Sequence, residues 1–157
     1  MVFLKSATRF FSLEMSVILA QTDTTVGFLS QDAKKLYEIK SRSSLKPFIK
    51  VYKDFKSFTT EGKRVAVGRK NLVRRSKKTT FIINNFSFRV APFLLDSQIF
   101  RNNSWFYSTS ANRSGDKFDR DFCISKADII VENIDGLREA EPSVLMKINR
   151  VKRRRLR

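Results

Sequence analysis

The chain has 157 residues, with 32 Lys and Arg against 15 Asp and Glu, and 41% of it is hydrophobic, which is enough for a packed core. It contains no His, which excludes imidazole-based catalysis and His-ligated metals, and its single cysteine, Cys123, excludes an internal disulfide framework and a Cys-based zinc cluster. The net charge of +17 is well beyond what solubility requires and implies a polyanionic partner: a nucleotide, RNA or an anionic membrane surface.

Residues 1–14 hold Lys5 and Arg9 and no acid before Glu14. They read as a weak targeting segment or as sequence upstream of a natural start at Met15, and the second reading is favoured. The domain then spans 15–157. Ser16 to Ala20 forms the first strand, and Gln21 to Gly27 a polar turn. Ser30 caps a helix through Asp32, Ala33, Leu36, Tyr37 and Ile39, which runs out near Lys40 to Ser44. Pro47 opens a strand over 48–52, and 54–67 reads as a helix followed by an extended piece. Residues 69–78 hold six cations and no acid and read as an exposed loop or rim. Strands over 79–84 and 86–91 join at Asn84-Asn85, a tight-turn pair. Pro92 starts a helix carrying Phe93, Leu94, Leu95, Ile99 and Phe100.

Trp105 to Tyr107 reads as a buried strand leading into the polar run Ser108-Thr-Ser-Ala-Asn112. Strands follow over 128–132 and 143–148, and the tail 150–157 is strongly basic. Interleaved strands and helices predict one α/β domain with a twisted, mixed sheet, and no linker marks a second domain. No apolar run approaches the roughly 20 residues that span a bilayer. The lone Cys fits a reducing, cytoplasmic location.

Three polar clusters end apolar runs: Thr22, Asp23, Thr24 and Gly27; then Lys40-Ser-Arg42 with Lys46; then Ser108 to Asn112 with Arg113-Ser114-Gly115. Open α/β sheets place ligands at strand ends, and hydroxyls and amides there suit carboxylate or phosphate oxygens. Each cluster taken singly also fits a turn that satisfies its own backbone, or a solvated helix end. No glycine-rich phosphate loop is present, which excludes a P-loop ATPase at the motif level.

Together and in order, the clusters resemble the signatures of the YrdC/YciO family. Gln21-Thr-Asp-Thr-Thr-Val-Gly-Phe28 resembles its opening Pro-Thr-Asp/Glu-Thr-x-Tyr-Gly-Leu. Ile39-Lys-Ser-Arg-Ser-Ser-Leu-Lys-Pro47 resembles its Lys-x-Arg segment, and Phe88-Arg-Val-Ala-Pro92 its Val-Arg-x-Pro strand. Ser108-Thr-Ser-Ala-Asn-Arg-Ser-Gly115 is very similar to its Thr-Ser-Ala-Asn-x-Ser-Gly. Glu141-Pro-Ser-Val-Leu145 resembles its Pro-Ser-Thr element, and Leu156-Arg157 its Leu-Arg.

The resemblance implies a YrdC-like (dihydroxybutanone-phosphate-synthase-like) fold around a basic concave cavity. It also implies a threonylcarbamoyl-AMP synthase that joins L-threonine, bicarbonate and ATP for tRNA modification. By it, Lys40 and Arg42 are catalytic. Arg42, Lys46, Thr80, Ser110, Asn112 and Arg157 bind ATP, and Thr22, Thr24, Ser108 and Ser143 bind threonine. Magnesium arrives on the ATP phosphates, without a protein-held metal site. Partners are tRNA and a threonylcarbamoyl-transferase. The alternative is a non-catalytic RNA-binding protein on the same fold, using Arg69, Lys70, Arg74, Arg75, Lys77, Lys78, Arg153, Arg154 and Arg155. Departures from the signatures are Gln21 for Pro, Val26 for Tyr, Val51 for His, and Ser76-Lys-Lys78 for Pro-Gly-Pro; they predict a pocket with fewer walls.

Overall fold

A computed structural model of the protein describes residues 2–4, 15–41, 46–91, 103–132 and 134–157. The chain divides into two compact units, each assembled from separate stretches of sequence. Unit 1 comprises Met1–Phe48 and Tyr107–Glu141, and unit 2 comprises Ile49–Phe106 and Pro142–Arg157.

In unit 1 the strands are β1 (Val2–Leu4), β2 (Ile18–Gln21), β3 (Val26–Ser30), the end of β7 (Trp105–Ser110) and β8 (Ile129–Val131). β8 pairs antiparallel with β1 and parallel with β2, while β2–β3 and β3–β7 are antiparallel, so the sheet is mixed. Helix α1 (Ala33–Lys40) starts at Asp32, whose carboxylate accepts from the Lys34 N–H. The cap expected at Ser30 is thus displaced by two residues, because Ser30 still belongs to β3 and its Oγ accepts from the Asp32 N–H. β3 begins inside the stretch Gln21 to Gly27 read as a polar turn and runs on to Ser30; its five residues are all buried, with no exposed face to give the alternation that marks a strand. Helix α4 (Arg120–Lys126), capped by Asp119, had no counterpart in the sequence reading. Val17, Leu19, Val26, Phe28, Leu36, Phe48 and Cys123 lie in the core of this unit.

Unit 2 contains β4 (Ile49–Tyr52), β5 (Thr79–Ile83), β6 (Phe86–Val90), β9 (Val144–Ile148) and β10 (Arg153–Arg155), with helices α2 (Phe55–Thr60) and α3 (Lys70–Arg75). β4–β6 and β5–β9 are parallel, and β5–β6 and β9–β10 antiparallel. β5 and β6 form the expected hairpin, with Asn84 and Asn85 at φ 46° and 65° as a two-residue turn of this hand requires. One expectation is corrected. The segment 69–78 is not a loop: a 3-10 turn (Val67–Arg69) runs into α3, which anchors itself through buried Val73. Within the basic tail, for which the sequence reading had no element, Arg153–Arg155 pair with β9. Stacked rings of Phe58, Phe86 and Phe88 with Tyr52 and Phe81 fill the core.

The α/β class and mixed pairing agree with the sequence reading. The helix expected from Pro92 lies outside the described residues. Among the described residues, no helix is long and apolar enough to cross a membrane.

Candidate functional site

The site in unit 1 is built where three distant segments meet. The β3–β7 pairing sets Gly27 opposite Ser110 and Phe28 opposite Thr109, so the first signature lies against the third. Gly27 permits this approach: a Cβ there would stand 3.0 Å from the Thr109 carbonyl oxygen and 3.1 Å from the Thr22 Cγ2. Helix α1 delivers the second signature. Leu36 and Lys40 are four residues apart on the buried face, so the apolar stripe ends in a cation. Lys40 is only 5% exposed.

The Lys40 Nζ donates to the Asn112 carbonyl oxygen at 2.7 Å, the Ser110 carbonyl oxygen at 3.2 Å and the Asn112 Oδ1. The Ser110 hydroxyl also donates to Oδ1 at 2.9 Å, and the Asn112 amide reaches the Asp116 carbonyl. An ammonium has three donors, and three neutral oxygens accept them. Lys40 thereby fixes the polar loop after β7. Beside it opens a hollow of about 280 Å³ lined by Lys40, Lys46, Thr109, Ser110, Asn112, Ser114 and Gly115. Among the described residues no acidic side chain lines it, so the hollow suits an anion. Arg42 lies outside the described residues.

Thr22 and Thr24 lie in the turn before β3. The Thr22 Oγ1 donates to the Thr25 carbonyl at 2.7 Å and lies 3.1 Å from the Thr24 Oγ1. Gln21 ties this turn to a distant segment. Its Oε1 accepts from the Arg138 N–H at 2.9 Å, and its amide donates to the Thr24 carbonyl. Val26 and Arg138 extend the same clasp through their backbones. Ser108 is on β7, its Oγ 3.8 Å from where a Gly27 Cβ would stand. Cys123 is the buried residue of α4, and that burial pushes its thiol up to about 11, so it is no nucleophile at neutral pH.

Thr80, Ser143 and Arg157 meet in unit 2. The Thr80 and Ser143 hydroxyls are 2.8 Å apart, and the Arg157 Nε donates to the Ser143 carbonyl at 3.3 Å. The structure adds Arg89, to which the sequence reading gave no role. It is 7% exposed on β6, and its guanidinium donates to the Thr80 Oγ1 at 3.3 Å. Its signal was a charge within the apolar strand Phe86–Val90.

No family description and no curated protein matches the chain. Solved structures do. The chain is similar to E. coli YciO, with a TM-score of 0.69 at 15% identity, covering 91% of this chain and 82% of that one. The fold is YrdC-like. A second similar structure is MTH1692 of Methanobacterium thermoautotrophicum, with a TM-score of 0.62, 21% identity and coverage of 90% and 79%. A third is P. abyssi Sua5 complexed with L-threonine, with a TM-score of 0.66, 16% identity and 90% coverage of this chain. There the chain spans half the Sua5 length. The YrdC-like fold agrees with the signature strings, and the pairing of β3 with β7 sets the one at Gln21–Phe28 against the one at Ser108–Gly115.

Proposed function

We propose that the protein forms an acyl adenylate, threonylcarbamoyl-AMP, from L-threonine, bicarbonate and ATP. The observation that carries this reading is the Lys40 ammonium tied to Ser110 and Asn112 at the mouth of a hollow whose described lining holds no carboxylate. The neighbouring fold of P. abyssi Sua5, solved with L-threonine, supports the choice of amino acid.

The chemistry needs no imidazole. The threonine amine adds to bicarbonate and loses water, giving a carbamate. A carbamate oxygen attacks the α-phosphorus; the bond to the bridging oxygen breaks, and pyrophosphate leaves with the electron pair. The carbamate and ATP are both anions, so the protein must hold them in line and offset their repulsion. Lys40 and Lys46 supply the charge, and the Ser110 hydroxyl with the Asn112 amide orients oxygen atoms. A hollow of about 280 Å³ is at the small end for ligand sites, which start at about 300 Å³. It fits the reacting phosphate and carbamate rather than a whole nucleotide. The buried Arg89 with Thr80 and Ser143 offers a second group suited to a carboxylate or phosphate oxygen. Magnesium comes with ATP on its phosphates.

The test is pyrophosphate release with ATP, bicarbonate, magnesium and L-threonine. Release that requires threonine and is lost in Lys40→Ala supports the reading. Release indifferent to threonine, or none at all, refutes it.

A further inference from the structure

The turn between β2 and β3 departs from the signature it resembles at both of its ends. Gln21 stands where the signature has Pro, and Val26 where it has Tyr. The β2–β3 register sets these two residues directly opposite each other. Both bond the same distant residue: the Gln21 Oε1 accepts from the Arg138 N–H at 2.9 Å, and the Val26 N–H donates to the Arg138 carbonyl at 3.1 Å. A third bond joins the same two segments, from the Ala140 N–H to the Thr25 Oγ1 at 3.2 Å. Residues 138–140 are thus strapped to the turn that holds Thr22 and Thr24. The strap has an anchor of its own. Gly136, at φ 70°, turns the chain, and Leu137 is buried in the core of unit 1. When a bond between strap and turn is lost, the strap stays in place and the loss falls on the turn.

The turn has few fixed points of its own. Pro at its head would lock φ; Gln21 does not, and residues 22–25 contain neither Pro nor Gly. Its internal bonds centre on Thr22, whose Oγ1 donates to the Thr25 carbonyl at 2.7 Å and accepts from the Thr24 N–H at 3.1 Å. A hydroxyl has one proton, so in the 3.1 Å contact between the Thr22 and Thr24 hydroxyls Thr24 is the donor. The Thr22 hydroxyl therefore shapes the turn, as a Thr side chain in a turn commonly does.

We infer that the strap, gripped by Gln21 and Thr25, holds this turn in the shape that receives the amino-acid substrate, which makes Gln21 and Thr25 positioning residues for L-threonine. The inference rests on the proposed reaction and on the resemblance that gives this turn to threonine. A site already held in its bound shape loses no affinity to being ordered when the ligand arrives. The Thr22 Cγ2 and the Thr109 carbonyl oxygen both stand within 3.1 Å of where a Gly27 Cβ would be, so the turn adjoins a residue that lines the hollow. Among the described residues, none from 21 to 26 lines the hollow itself. Loosening the turn is therefore felt by threonine and not by the phosphates.

The experiment measures threonine-dependent pyrophosphate release by the full-length chain and, separately, L-threonine binding by calorimetry without ATP. Gln21→Met keeps the bulk of the side chain and removes the acceptor; Thr25→Val keeps the shape and removes the hydroxyl. Each should raise KM and the calorimetric Kd for threonine by about tenfold, with kcat and the KM for ATP within about twofold of the parent. Thr25→Ser keeps the acceptor and should stay within about twofold of the parent throughout. A brace that serves stability alone lowers Tm and leaves threonine binding unchanged. That result, an equal rise in the KM for ATP, or a Thr25→Ser chain as impaired as Thr25→Val each overturns the inference. Should Gln21→Met fail to fold, the Thr25→Val and Thr25→Ser pair decides. A parent chain that binds threonine but releases no pyrophosphate fails the proposed reaction and leaves the strap standing; a parent chain that binds no threonine overturns both.

Discussion

Replacing Lys40 with Met keeps the stem and removes the three donors. The side chain is 5% exposed, and it bonds the Ser110 carbonyl and two oxygens of Asn112. Hydrogen bonds from a charged donor contribute roughly 1.5–3 kcal/mol each when the orphaned acceptor stays dry. Here the acceptors line an open hollow, so water recovers much of that sum, and the net cost is on the order of 2–3 kcal/mol. For a chain of this size that lowers Tm by roughly 5–10 °C. Thermal unfolding and urea titration check it; the urea midpoint should fall with the slope unchanged, since the surface exposed on unfolding is the same. In the same variant, threonine-dependent pyrophosphate release should drop by about 100-fold or more, because the loop carrying Ser110 and Asn112 loses its anchor and the hollow loses a positive charge. A Lys40→Met protein with parental Tm and undiminished release refutes the idea that this ammonium organises the loop after β7.

Gly27→Ala introduces a Cβ 3.0 Å from the Thr109 carbonyl, so β3 and β7 must part; destabilisation of about 1–3 kcal/mol is expected in urea titration, with weaker pyrophosphate binding by calorimetry. Asn85→Gly removes a side chain from a residue at φ 65° and should raise Tm by one or two degrees, roughly 0.5 kcal/mol, by calorimetry. The Cys123 thiol, pushed up to about 11 by burial from an ordinary 9.0, stays protonated in the fold while the unfolded chain ionises. Stability from this group is therefore full below about pH 9 and falls as pH rises towards 11, by about 2 kcal/mol in all; Cys123→Ala should flatten that part of the pH–stability curve.

The signature strings were readable because local chemistry writes them: hydroxyls, amides and glycine at strand ends, a cation closing an apolar helical stripe, and paired asparagines between two strands. The net charge and the α/β class followed from composition and periodicity in the same way. Local chemistry failed where neighbours in space replace neighbours in sequence. β3 is buried on both faces, so the alternation that marks a strand is absent. The basic segment after Arg69 became a helix because Val73 found a core to enter. The tail became β10 because β9 offered an open edge. Lys40 and Asn112 are 72 residues apart, and only the pairing of β3 with β7, with α1 packed against β3, sets one against the other. The sum of the charges is a property of the chain. Its gathering into unit 2, which has 20 Lys and Arg against 3 Asp and Glu in its sequence, is a property of the fold, because each unit is assembled from segments distant in sequence, and the cationic ones fall together.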